Sequence, residues 1–223
     1  MTASYLSLLL ADGRLPTGAH TQSAGVEPAF LHGMRLAQVP DYLRVRLATV
    51  VEVEAAAAVV ARWSWLHHAD GERVSAMAVV DTAWRVRTLS DALRDASDLL
   101  GRSYLRTASA VWDLRPLVAA DRGWCRAVVM GATAAAAGLG PAELARVLAF
   151  EDVQTVVAAA LKLSPFDPAH GVRWAAAAED DVEALVDRVS RLTSAEELPA
   201  HSAPQVEEWG QRHRMIERRL FRA

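Results

Sequence analysis

The sequence predicts an all-α protein, a single-domain compact helical bundle. Three observations carry this. Apolar residues recur at three/four spacing along most of the chain, as one face of a helix requires. There is no sustained period-two alternation, no Asn-Gly hairpin turn and no block rich in β-branched and aromatic residues bounded by turns. Alanine dominates the 52% hydrophobic content, and alanine-rich helices allow backbones to approach closely in one core. A length of 223 residues suits one large domain, with residues 195–223 as a C-terminal docking tail. No repeat of 20–50 residues is evident.

The elements follow in order. Tyr5 to Ala11 reads as a short amphipathic helix closed by Asp12-Gly13. A polar loop follows, and Glu27 to Arg35 carries Val26, Ala29, Phe30 and Met34 at helical spacing. Pro40 suits a helix first turn, and that helix is expected to run to about His68, with Asp70-Gly71 as its stop. Val74 to Val86 is the next. Thr88 or Ser90 caps a long helix through Leu105, with Leu89, Leu93, Ala96, Leu100 and Leu105 on one stripe. Trp124 to Ala137 is alanine-rich and is broken by Gly138-Leu139-Gly140-Pro141. Glu143 to Lys162 continues to the stop at Ser164–Pro168. Trp174 to Thr193 is expected as one helix, Ala195 to Pro204 as a loop, and Gln205 to Arg218 as a polar helix or extended tail.

Composition narrows function. Net charge is −3, so the concentrated basic surface that phosphate backbones demand is missing; nucleic acid is not an expected partner. Lys162 is the only lysine, and the one dense basic stretch is Arg212 to Arg222. Cys125 is the only cysteine, which fits a reducing compartment and a small buried hydrophobe. The N-terminus lacks a basic n-region and does not read as a signal peptide. Ala127 to Ala142 is uncharged but falls short of the roughly 20 apolar residues of a membrane span. A cytoplasmic protein without a membrane partner is expected.

The stretch Leu15–Glu27, LPTGAHTQSAGVE, is the most informative. Most helix connections carry one or two turn residues. This one keeps Pro16, Gly18 and Gly25 and threads Thr17, His20, Thr21, Gln22 and Ser23 between them. Polar, glycine-punctuated loops on a helical scaffold are where binding function concentrates. Catalytic and metal signatures do not accompany it. GxxxxGK[ST] and GxGxxG are absent, no Ser sits in GxSxG, and there is no HExxH or cysteine pair. His67 and His68 are neighbours on a helix, about 100° apart, and cannot clamp one metal. Ser23 reads as a cap or turn residue. Glu27 opens a helix, where a carboxylate suits the exposed amides; a partner contact is the competing reading. Trp209 is a candidate interface anchor. Leu220-Phe221 between Arg219 and Arg222 places apolar groups among charges, a docking pattern.

LLLADGRLPTGAHTQSAGVE resembles the N-terminal motif of the urease accessory family UreF, L-x-x-x-x-x-LP-x-G-x-[FH]-[ST]-x-S-x-GLE, through Leu15, Pro16, Gly18, His20, Thr21, Ser23, Gly25 and Glu27. Residues 90–108 resemble its central [MLQ]-G-R-x-[LY]-L-R helix through Leu100, Gly101, Arg102, Leu105 and Arg106. RHRMIERRLFRA resembles its terminal H-x-x-[LM]-x-x-RLF-x-[SA], with His213, Arg219, Leu220 and Phe221 in place. Gln22 stands where Tyr or His is common, His20 where Phe is common, and Ser164-Pro165-Phe166-Asp167 replaces P-L-G-Q. The resemblance implies an all-α, cytoplasmic, non-enzymatic scaffold. It would bridge UreD (also called UreH) and the nickel-carrying GTPase UreG for GTP-dependent nickel delivery to apo-urease. It implies a homodimer, and no cofactor or metal held by this chain itself. It implies a UreG-side surface of Pro16, Gly18, His20, Thr21, Gln22, Ser23, Glu27, Arg219, Leu220 and Phe221; for Arg219, docking UreG is the favoured reading and acting on GTP as an arginine finger is the alternative.

Two other readings compete. One is an all-α hydrolase built on His20, Ser23 and Glu27, which requires these three to converge. The other is an all-α transcription regulator, which requires a basic second helix near the N-terminus; residues 1–40 hold only Arg14 and Arg35 as basic groups.

Overall fold

The structure, a computed structural model, describes residues 1–120, 122–214, 220 and 221. Among these residues every regular element is helical: α1 (Ala3–Leu10), α2 (Val26–Leu31), α3 (Val39–Leu47), α4 (Val50–His67), α5 (Asp70–Arg85), α6 (Asp91–Ala108), α7 (Arg115–Ala119), α8 (Arg126–Ala137), α9 (Pro141–Leu163), α10 (Pro168–Ala177), α11 (Glu179–Val189) and α12 (Pro204–His213). The predicted fold class stands.

The core is built around α4 and α8. From Arg126 through Ala135 every residue of α8 is buried, as is nearly all of α4 from Val51 to Ala61. Small residues make this possible. A Cβ at Gly131 would overlap the Ala58 carbonyl oxygen and crowd Ala61, so the two helices meet at backbone distance. α9 covers this pair, α5 and α6 flank it, and α10 and α11 pack on α9, with α11 also touching α3 and α4. α12 packs on α2 and α6, so the described part of the C-terminal segment is built into the bundle. No helix of the described residues is long and apolar enough to cross a membrane.

Several boundaries differ from the sequence reading. The helix expected from Pro40 to His68 is two helices, because Thr49 leaves helical geometry at φ −133°, ψ −97°. Its Oγ1 donates to the Val45 carbonyl at 2.6 Å, and the bend lets α3 lie against both α4 and α9. Asp70-Gly71 opens α5 instead of stopping α4. Asp70 and Glu72 supply first-turn carboxylates, favourable at a helix N-terminus. The helix expected from Trp174 to Thr193 starts earlier, where Asp167 caps Ala169 N at 2.9 Å with Pro168 in the first turn, and divides at Ala178.

On α6 the buried stripe is Ala92, Ser97, Gly101, Tyr104 and Ala108. The leucine stripe lies beside it: Leu93, Ala96 and Leu100 are half-buried and Leu89 is exposed. The reason is again closeness, since a Cβ at Gly101 would overlap the Trp124 carbonyl oxygen and Arg126 N donates to Ser97 Oγ at 3.0 Å. Ser90 caps α6 through Leu93 N at 3.4 Å, and α12 completes the cap. Glu207 accepts from Ser90 N at 2.8 Å, and Gln211 Oε1 accepts from Ala92 N at 3.0 Å.

Candidate functional site: the loop, the tail and the cleft between them

The loop after α1 is shaped by left-handed backbone. Gly18 has φ 81°, and a short 3-10 turn over Ala19–Thr21 follows, with Thr21 Oγ1 donating to the Gly18 carbonyl at 2.7 Å. Ala24 (φ 49°) and Gly25 (φ 77°) then reverse the chain into α2. Gly25 is required twice over: its φ suits glycine, and any Cβ there would overlap the Tyr42 hydroxyl. That hydroxyl donates to the Ala24 carbonyl at 2.8 Å.

This loop sits on buried charge. Arg46 grips Asp152 with two hydrogen bonds of 2.9 and 2.5 Å, and the same guanidinium lies 5.8 Å from the Tyr42 ring centre. Burial pulls the Arg46 guanidinium down, but Asp152 and Tyr42 outweigh it and hold it above its usual range. Arg126 pairs with Glu54 at 2.8 Å and reaches Glu151 at 3.8 Å. Glu151 also accepts from the Tyr104 hydroxyl at 2.5 Å. Burial pushes the Glu151 carboxyl up, partly countered by Arg126 and Tyr104. Burial likewise raises Tyr104, whose hydroxyl also bonds buried Thr17. Broken singly, such pairs leave an uncompensated buried charge.

Glu27 joins the two ends of the chain. Only 6% exposed, its carboxylate accepts from His213 Nε2 at 2.9 Å, from Leu220 N at 2.6 Å and from Phe221 N at 2.9 Å. His213 is 1% exposed. The carboxylate thus serves tail donors, not the amides of its own helix. Glu27 N in turn donates to Ser23 Oγ at 3.4 Å. Phe221 is buried, with the Lys162 ammonium 5.4 Å from its ring centre, while Leu220 is exposed.

The predicted site residues divide accordingly. Pro16 and His20 are exposed, and Gly18, Thr21 and Gln22 are half-buried. Ser23, at 0% exposure, and Glu27 are internal; they support the surface from beneath and do not present themselves to a partner. Arg219 lies outside the described residues. The hydrolase arrangement does not form: His20 is on the surface, Ser23 is sealed inside, and the Glu27 carboxylate is taken by three tail donors. α2, the short second helix a DNA reader would present, is six residues long with Val26 through Ala29 buried. Trp209 is half-buried, its ring centre 6.3 Å from that of Tyr42.

Between loop and tail lies a cleft of about 400 Å³ lined by His20 and Gln22 of the loop, Phe150, Glu151 and Lys162 of α9, and Phe221 of the tail. Sequence reading passed over His213 as a site residue, and Arg46, Glu151 and Asp152 altogether. The available signal was charge inside otherwise apolar helical stretches, as in LAFEDVQTVV, because such charges are almost never buried unless paired.

Comparison with known proteins bears on this geometry. The family model described as UreF matches residues 35–179. The urease accessory protein UreF of Mycobacterium sp. (strain JLS) is 35% identical over 225 residues, covering 99% of this chain and 99% of the relative. That of Mycobacterium marinum is 34% identical over 229 residues, with 99% of each chain covered. That of Mycobacterium tuberculosis (strain H37Rv) is 34% identical over 178 residues, 76% of this chain and 77% of the relative. The family model spans the core helices, and the two longer pairings take in the loop and the tail as well.

Proposed function

The chain belongs to the UreF family of urease accessory proteins, and we propose that it acts as a non-enzymatic scaffold in the cytoplasm, bridging UreD (UreH) and the GTPase UreG. The complex so assembled inserts nickel into apo-urease in a GTP-dependent step. Nickel is cargo carried by the partners, and this chain holds no cofactor. The scaffold works as a homodimer.

The observation that supports this reading is the Glu27 junction. It ties the tail to the loop through three hydrogen bonds, so residues near opposite ends of the sequence share one cleft and its rim. A partner that reads shape and polarity needs such a preset surface, since ordering it on binding would cost affinity. His20, Thr21, Gln22 and Leu220 present it, with Pro16 and Gly18 shaping the turn.

Co-expression with UreD and UreG followed by size exclusion tests the proposal. Co-elution with UreD, and with UreD plus UreG, is expected; separate elution contradicts it. Arg219→Ala is expected to abolish UreG retention, as a docking residue would. Retained binding with slowed GTP hydrolysis would instead identify an arginine finger.

A further inference from the structure

The C-terminal half of α6 carries two arginines that the fold does not use. Arg102 and Arg106 are exposed and stand one helical turn apart. Among the described residues, neither side chain makes an ion pair or a hydrogen bond. Other arginines do: Arg46, Arg126 and Arg188 grip Asp152, Glu54 and Glu52. Arg173 and Arg191 are also without a partner, but they stand on separate segments. The helix has no carboxylate to spare. Asp91 is taken by Arg94, Asp95 by Arg214 at 3.1 Å and Asp98 by Arg85 at 2.6 Å. Like charges four residues apart repel and weaken a helix. The helix dipole favours Arg106, which lies in the last turn, and does little for Arg102 one turn earlier.

Their surroundings define what they fit. Asp95, Leu99, Arg102 and Arg106 recur at three/four spacing and form one stripe on the outer face of α6, opposite the buried Ser97, Gly101, Tyr104 and Ala108. Leu99 is half-buried and places apolar surface beside the two charges. A guanidinium binds a carboxylate through two parallel hydrogen bonds. Side chains four apart on a helix stand about 5–6 Å apart at Cβ, so two carboxylates one turn apart on a partner match the spacing. A nucleic-acid backbone does not fit, because it would also run over Asp91 and Asp95 in a chain of net charge −3. We propose that this stripe docks an acidic segment of a protein partner, Arg102 and Arg106 each taking one carboxylate and Leu99 packing beside them. The partner is UreG, an assignment that rests on the scaffold reading. The stripe begins at the Asp95–Arg214 pair, where the tail leaves α12, and the far end of that tail belongs to the surface assigned to UreG.

Titration of the UreD-bound full chain with UreG, at low and at high salt, tests this. The double variant Arg102→Gln with Arg106→Gln is expected to weaken UreG about tenfold or more at low salt and to flatten the salt dependence. Its melting temperature is expected to be unchanged or slightly raised, since the repulsion is relieved. Arg102→Lys with Arg106→Lys keeps the charge without the paired geometry and is expected to fall between. Unchanged UreG affinity in the Gln variant overturns the assignment to UreG. A lowered melting temperature makes the arginines part of the fold and overturns the docking role. A second probe needs no UreG: a helical peptide with two Glu four residues apart, and its Gln counterpart. The Glu peptide is expected to shift the Arg102 and Arg106 Nε–Hε NMR signals saturably, and the Gln peptide to leave them in place. Non-saturating shifts, equal binding of the two peptides, or tighter binding of duplex DNA at the same signals would each overturn the proposal. If the wild-type chain does not bind UreG at all, the scaffold reading falls while the peptide titration still decides the stripe.

Discussion

The α4–α8 centre and the Glu27–His213 contact beneath the loop and tail are both buried, and they are held by largely different means. At the centre the contact is made of absent atoms: Gly131 lets the Ala58 backbone in, and the neighbours are mostly Ala and Val. At the junction it is made of paired charges and hydrogen bonds: Arg46–Asp152 beneath the loop and Glu27 with the tail. Apolar packing is tolerant in chemistry and strict in volume. Buried polar networks are strict in chemistry, because each lost partner strands another group. The junction is therefore the specified surface, and the centre is the platform that positions it.

The largest effect is expected from breaking a junction pair on one side only. Asp152→Ala leaves the Arg46 guanidinium buried and unpaired and should cost about 3–5 kcal/mol of stability, read by urea unfolding. Replacing Arg46 and Asp152 together by apolar residues should recover most of that loss, and a double mutant no better than the single would show that the pair is not the reason. Next, Gly131→Val overfills the centre and should cost about 1–3 kcal/mol. An unchanged midpoint would mean the helices do not meet as closely as described.

Glu27→Gln keeps the shape but exchanges an acceptor oxygen for an NH₂ group. It should cost about 1–3 kcal/mol and speed amide exchange at Leu220 and Phe221 above all. Uniform loss of protection across α4 and α8 would instead make Glu27 a global support. The smallest effect belongs to an exposed pair. Arg115, through its side chain and then its backbone N–H, lowers the Asp113 carboxyl to about 2. Any stability it lends is present above the ordinary carboxylate range and is lost as pH falls through about 2. Asp113→Asn should leave the midpoint at neutral pH essentially unmoved, as expected for surface pairs, and NMR should find Asp113 titrating near 2.

The same contrast explains what the sequence made legible. The α8 and α9 boundaries follow from Gly138 and Pro141, and the α6 start from Ser90, because caps and breakers act within a few residues. The polar loop was conspicuous for its glycines and small polar groups. The split at Thr49 was hidden, since nothing in Leu47-Ala48-Thr49-Val50 forbids a helix; tertiary contact of α3 with α9 decides it. The role of Glu27 was hidden for the same reason. Local spacing assigns it to the amides of its own helix or to a partner, while its actual donors stand 186 to 194 residues away. Ser23 was read as a turn residue and does support Glu27 N, but its full burial depends on packing that no short pattern encodes.

The proposed scaffold role requires the loop and tail to act as one surface for UreG. The direct test is the affinity of the UreD-bound chain for UreG, wild type against Glu27→Gln, with helicity and melting checked alongside. A fall of about tenfold or more in affinity, with the helical fold retained, is the predicted result. Unchanged affinity, in a variant whose tail amides exchange freely, would contradict it.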